Sequence, residues 1–182
     1  MEQEISKIKD EKDIGVLIDD ELSFDKHICE MVSKANSIFA ALRRTFRNLT
    51  TYIFLPLCNT LVGTPLDYAS SVWAPYKKKY IDKIESVQKR ATKQMQGFHN
   101  LNYPERIKKL KLPTIAHRRI RGDMIETYKL INEKYDLEAS SFLKLLSSSG
   151  NRFSRRNNNK IVQQRFKTSL RKNSFPMRVA KV

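Results

Sequence analysis

The chain has 182 residues, with 35 Lys or Arg against 19 Asp or Glu and a formal net charge of +16. That length can bury one core of ordinary size, and the sign of the charge points to polyanionic partners: nucleic acid first, then an anionic membrane surface or an acidic protein. Cys29 and Cys58 lie outside any CxxC pair, which excludes a disulfide framework and fits an intracellular compartment, nucleus or cytoplasm; from the charged start no signal peptide is expected.

In chain order, residues 1–13 are polar and have little to bury. Ile14-Gly15-Val16-Leu17-Ile18 is rich in β-branched residues and predicts a short strand. From Ser23 the period changes. Ile28, Val32, Ala35, Phe39, Leu42 and Phe46 recur at steps of three and four, one face of an α-helix, with Ser23 or Asp25 as cap and Arg43, Arg44 and Arg47 at its end. A second helix is expected from Thr50-Thr51 to Val62, disturbed by Pro56 and closed by Gly63 in the left-handed conformation. Thr64-Pro65 then opens a stretch through Leu66, Tyr68, Ala69, Val72 and Trp73 that Pro75 ends.

Lys77-Lys78-Lys79 reads as an exposed turn before a helix over Tyr80–Gln96. Ile81, Ile84, Val87, Ala91 and Met95 face inward there, Lys83, Lys89, Arg90 and Lys93 outward, and Gly97 is the stop. Asn102 caps a two-turn helix with Pro104 in its first turn, and Thr114 caps a helix over Ile115–Glu133 with Ile120, Met124, Ile125, Tyr128 and Ile131 as apolar positions. From Ser147 the composition turns to Ser, Asn, Arg and Lys, a basic, partly disordered tail with short strands near Lys160–Phe166 and a turn at Asn173–Val179. The longest apolar window, Ile53–Val62, is too short to span a bilayer.

The charge is unevenly placed. Residues 1–30 hold ten acids against four lysines, a net of −6, so the rest of the chain holds +22. Four clusters carry the excess: Arg43-Arg44; Lys77-Lys78-Lys79; Lys89, Arg90 and Lys93; and Arg118, Arg119 and Arg121. Any one alone reads as a solvated face. Four together favour phosphate contact, because each neutralised phosphate releases counterions. No catalytic constellation emerges. Asp19-Asp20 reads as turn chemistry, His27 and Cys29 lack a second zinc-spaced pair, and neither a GxSxG elbow nor a Gly-rich phosphate loop is present. No metal or cofactor is expected. Trp73 and Tyr68 read as core, and Tyr103 beside Pro104 and Arg106 stays open as a stacking residue.

The order of short motifs is similar to one family. Asp13-Ile14-Gly15-Val16, Asp19, Leu22-Ser23-Phe24, His27-Ile28 and Lys34-Ala35 resemble the palm–thumb junction of non-LTR (LINE-type, jockey/CR1-like) retrotransposon reverse transcriptases. Pro65-Leu66-Asp67-Tyr68-Ala69-Ser70 with Val72-Trp73 and Pro75 resembles that family's P-x-L-E-Y-x-S-x-x-W-x-P segment, Asp67 replacing Glu. Ile84-Glu85, Val87-Gln88-Lys89-Arg90-Ala91 and Lys93 match I-E-x-V-Q-R-R-x-x-K. Tyr103, Glu105-Arg106, Leu110 and Leu112 match Y-x-E-R-L-x-x-L-x-L. Arg118-Arg119, Arg121, Asp123-Met124 and Tyr128-Lys129 match R-R-x-R-x-D-L-x-x-x-Y-K. Ser174-Phe175 and Arg178-Val179 resemble the start of S-F-x-x-R-x-x-x-W-N.

This resemblance covers residues 13–182 and implies the thumb and linker of an RNA-directed DNA polymerase, which grip template and cDNA, without its catalytic palm or an endonuclease. The expectation is a mainly α protein: residues 1–22 an acidic leader with a palm-end strand, 23–146 a thumb-like bundle of five or six helices, 147–182 a basic linker or tail. Its expected role is non-catalytic binding of RNA or DNA through phosphates. The alternatives are a helical module for an acidic protein or anionic membrane surface, and a retrotransposon remnant without function.

Overall fold

The computed structural model describes residues 8–46, 50–135, 143 and 161–181. The protein is mainly helical, with a two-stranded antiparallel sheet near its N-terminus. It divides into two compact units, Met1–Ala69 with Pro75–His117, and Ser70–Ala74 with Arg118–Val182.

The first unit opens with a hairpin. β1 (Asp10–Asp13) pairs with β2 (Val16–Asp19), Asp13 opposite Val16, so Ile14-Gly15 is a two-residue turn with φ of 43° and 81°. Positive φ at both positions is the primed geometry that suits the twist of paired strands. The lone expected strand thus has a partner, and Ile14 belongs to the turn and is 80% exposed. β1 reads Asp-Glu-Lys-Asp, so neither propensity nor alternation announced it.

α1 (Asp25–Thr45) buries Ile28, Val32, Ala35, Phe39 and Leu42, the expected face, while Phe46 lies beyond its end and is partly exposed. Its start is held by an acid further back. The Asp19 carboxylate accepts from the Ser23 hydroxyl and from the Phe24 N–H at 3.0 Å, with Phe24 itself at φ 56°. α2 (Thr51–Leu57) contains Pro56, which lacks the N–H that would bond the Tyr52 carbonyl. The chain then widens into a π-helical segment, Cys58–Gly63, and tightens again into α3 (Thr64–Asp67). Gly63 is right-handed and buried, with φ −73°, so it does not end the helix as expected; the left-handed residue comes later, at Ala69. Helix ends at Asp67, short of Trp73, and Tyr68 and Val72 are exposed rather than core.

α4 (Lys78–Lys93) buries Ile84, Val87 and Ala91, with Met95 just past its end and Gly97 left-handed at φ 78° as the stop. Ile81 lies at its exposed margin instead of in the core. α5 (Tyr103–Lys109) carries the capping box expected of Asn102: its side chain accepts from the Glu105 N–H at 3.0 Å, and Glu105 accepts from the Asn102 N–H at 2.9 Å. Asn102, Thr114, Ile84, Val87 and the α1 face all behave as their spacing predicts.

The second unit is built from most of α6 (Ile115–Ile131), whose first three residues belong to the first unit, together with α7 (Ser169–Asn173), α8 (Phe175–Val179) and the segment around Trp73. Here α6 turns part of the expected face outward, although Met124 and Ile131 are half-buried. Ile120, Ile125 and Tyr128 are 46%, 46% and 65% exposed, while Arg119, Asp123 and Thr127 are buried. The physical reason is a polar stack. The Arg119 guanidinium lies 4.2 Å from the ring centre of fully buried Trp73, and Arg178 grips Asp123 with Nε–Oδ2 2.7 Å and Nη2–Oδ1 3.0 Å. Arg178 also donates to the carbonyls of Ser71 at 3.0 Å and Asn173 at 3.1 Å. The expected turn at Asn173–Val179 is two short helices with Met177 and Val179 buried. Of the strands expected near Lys160–Phe166, the described part has a single bridge residue at Ile161, and the tail from 147 to 160 lies outside the described residues.

Candidate nucleic-acid interface

α1 and α4 lie side by side and run parallel. Lys77 Nζ reaches Asp25 Oδ2 at 3.1 Å, Lys83 Nζ donates to Cys29 Sγ at 3.0 Å, and Arg90 Nη1 donates to Asn36 Oδ1 at 3.1 Å. The partners advance together along both helices, so the two C-terminal ends fall at the same end of the pair. Parallel helices align their dipoles, and cations at the negative ends and acids at the positive ends are favourable. The sequence supplies both: Asp10, Asp25 and the hairpin acids at one end, and Arg43, Arg44, Arg90 and Lys93 at the other.

Lys79, Lys83, Arg90 and Lys93 are spaced by four, seven and three residues, which puts them on one face of α4, flanking the buried stripe of Ile84, Val87 and Ala91. All four are exposed, and they extend along about 21 Å of helix. Arg43 and Arg44, also exposed, add the cations of the neighbouring C-terminus. Hydrogen bonding raises Lys77 through Asp25 and Lys83 through Cys29, so both ammonium groups stay charged well above neutral pH.

The eleven expected contact residues divide between the units. Arg43, Arg44, Lys77, Lys78, Lys79, Lys89, Arg90 and Lys93 belong to the first. Among them Lys77 is half-buried and paired with Asp25, Arg90 holds Asn36, and Lys89 lies 5.4 Å from the Tyr103 ring centre. Arg118, Arg119 and Arg121 belong to the second, where Arg121 is exposed and Arg118 half-buried. Arg119, expected on an outward basic face, is instead buried against Trp73.

The conspicuous aromatics are occupied. Tyr103 donates its hydroxyl to buried Glu85, which also accepts from the Ile115 N–H at 3.1 Å, and burial pushes the phenol up, with the Glu85 contact adding to it. Arg106 is buried beside it, donating to Thr92 Oγ1 at 3.2 Å and to the Leu101 and Lys89 carbonyls. Tyr103 is therefore a half-buried latch on Glu85, which answers a question its sequence context left open. Tyr68 donates to the Ile14 carbonyl at 2.8 Å. The aromatic that periodicity missed is Tyr52, 88% exposed in the first turn of α2. No spacing rule identified it, since the run Tyr52-Ile53-Phe54-Leu55 before Pro56 is too short to show which of its side chains faces out.

Among the described residues no group of three or more His, Cys, Asp or Glu is placed to hold a metal, and no helix is long and apolar enough to cross a membrane. No protein-family model matches the chain, and no solved structure matches it. A protein of Caenorhabditis elegans, Uncharacterized protein B0403.1, is 30% identical over 138 residues, covering 72% of this chain and 68% of the relative. At that identity and coverage, the chain belongs to the same family as Uncharacterized protein B0403.1 of Caenorhabditis elegans.

Proposed function

We propose that the protein is a non-catalytic, sequence-tolerant nucleic-acid binder that engages phosphates along the α1–α4 pair. The observation that carries this reading is the one-sided row of exposed cations, Lys79, Lys83, Arg90 and Lys93, beside Arg43 and Arg44. Dipole complementation accounts for some of these charges at about 0.3–1 kcal/mol each, but only within the last turn of each helix. Lys79 and Lys83 stand at the other end of α4, so the row exceeds what the dipoles ask for. The ordered motifs shared with non-LTR reverse transcriptases support the same reading, with this chain corresponding to a thumb and linker derived from such a polymerase.

The test is binding of labelled RNA and DNA across a salt series. If about six phosphates are engaged, the log–log slope is about −5 on duplex DNA and about −4 on single strands. Binding that is undetectable, or indifferent to salt, rejects the proposal. A second reading, a helical module for an acidic protein or anionic surface, draws on a different observation: Ile120, Ile125 and Tyr128 stand exposed on α6. Substituting that face would leave polynucleotide binding unchanged and weaken the other partner.

A further inference from the structure

A third helix joins the parallel pair. On α5 the Tyr103 hydroxyl meets Glu85, and its ring centre lies 5.4 Å from Lys89 Nζ. One turn on, Arg106 donates to Thr92 Oγ1 at 3.2 Å and to the Lys89 carbonyl at 3.3 Å. Lys109 Nζ then lies 5.1 Å from the ring centre of Phe98, just past the end of α4. The contacts advance along both helices together, so α5 ends where α1 and α4 end. Glu85, Lys89 and Thr92 turn toward α5, while Lys83 and Arg90 turn toward α1, about 150° away around the α4 axis. Hence α4 stands between its two neighbours, and Lys93 lies on the outward ridge between those directions.

Charge arithmetic at this end leaves a remainder. Arg43, Arg44, Lys89, Arg90, Lys93, Lys108, Lys109 and Lys111 are all exposed there. No Asp or Glu occurs over residues 31–66, 86–104 or 106–122, the segments that hold them. Each helix end offers at most about half a negative charge, so three offset about 1.5 of the eight positive ones. Lys111 adds a second sign. It follows α5 at φ 53°, the left-handed position that helices commonly fill with glycine, and the Leu112 N–H closes the turn on the Ile107 carbonyl at 2.9 Å. A lysine there strains the backbone, so the turn itself does not call for it.

We propose that Lys108, Lys109 and Lys111 contact phosphates, and that the bound polynucleotide spans the ends of α1, α4 and α5 instead of following α4 alone. The proposal rests on the nucleic-acid reading above and adds to its surface three cations outside the four sequence clusters. Two interaxial spacings of 8–10 Å set α1 and α5 about 16–20 Å apart, so different phosphates meet the two flanks and losses at the flanks add.

The experiment titrates the full chain with labelled single-stranded RNA, single-stranded DNA and duplex DNA across a salt series. Replacing Lys108, Lys109 and Lys111 together by Gln should reduce the log–log slope by about 2 on single strands and about 3 on duplex DNA. Replacing the same three by Arg should keep the wild-type slope. Arg43→Ala with Arg44→Ala should reduce the slope separately, and the combined variant by the sum. Lys111→Gly alone should raise the melting temperature while weakening binding, the reverse of what a lysine serving the fold would give. A wild-type slope in the Gln variant, with a loss in the Arg43 and Arg44 variant, confines the strand to the α1–α4 pair and overturns the proposal while the phosphate row stands. Equal losses in the Arg and Gln replacements assign the effect to shape and overturn it too. Failure of the wild type to bind any of the three overturns both readings.

Discussion

Ile14 occupies a backbone conformation that a β-branched residue adopts at a cost, φ 43°, while 80% of its side chain stands in water. No packing offsets that cost. The turn is held from the other side by the Tyr68 hydroxyl on the Ile14 carbonyl, and Gly15 supplies its second residue at a φ of 81° that a side chain would strain. Ile14→Asn would place an Asn-Gly pair in a primed turn without touching the Tyr68 bond. We expect it to stabilise the protein by about 1 kcal/mol, read as a higher urea midpoint at unchanged slope. The opposite sign is expected at Asp123. Its side chain is 8% exposed and accepts two bonds from Arg178, so Asp123→Ala leaves a half-buried guanidinium without its counter-charge. That should cost about 3 kcal/mol, and replacing Asp123 and Arg178 together by apolar residues should cost less than Asp123→Ala alone.

At the scale of elements, the hairpin and α1 meet through Asp19. Burial alone would raise its carboxyl, but the Ser23 hydroxyl and the Phe24 N–H outweigh burial and hold the pKa below the usual aspartate value. A depressed carboxylate contributes stability above its unfolded pKa and loses it as the pH falls through the folded one. The junction should therefore be intact at pH 5 and weaken below about pH 4. The stability difference between wild type and Asp19→Asn should be largest near neutrality and shrink toward pH 3; a difference that persists there would assign the junction's strength to something other than this charge. Elements of this kind set the limit of what the sequence disclosed. The α1 face, the Asn102 box and the Gly97 stop were legible because each is local: a period of three and four, a cap three residues from its partner, a glycine at a positive φ. The buried face of α6 was not, because Arg119, Asp123 and Thr127 go inward only in company with Trp73 and Arg178, about fifty residues away on either side. An apolar stripe was read as the inside, and the polar network turned part of it outward. Likewise, charge clusters located the basic row but could not separate Lys93, which is exposed, from Arg119, which is core. Tyr52 had no local signature at all.

For the molecule as a whole, the −6 and +22 segments of the chain acquire a direction in the first unit. Asp10 pairs with Lys26 and Asp25 with Lys77 at the N-terminal ends of α1 and α4, while Arg43, Arg44, Arg90 and Lys93 gather at the C-terminal ends. The 21 residues of α1 separate these poles by about 30 Å. Screening decides what that polarity can do. The Debye length is about 8 Å at 0.15 M ionic strength and about 30 Å at 0.01 M, so the acids reach a strand at the far pole only in dilute salt. Neutralising the exposed hairpin acids Glu11, Asp13 and Asp20 to Gln, Asn and Asn should therefore leave affinity at 0.15 M nearly unchanged. At about 0.01 M it should raise the association rate several-fold, since approach rather than contact is what a distant field alters. Stopped-flow association with a single-stranded oligonucleotide at both ionic strengths measures this. An increase of the same size at 0.15 M would place the strand against the hairpin itself, with its phosphates held chiefly at the Lys79 and Lys83 end of the row.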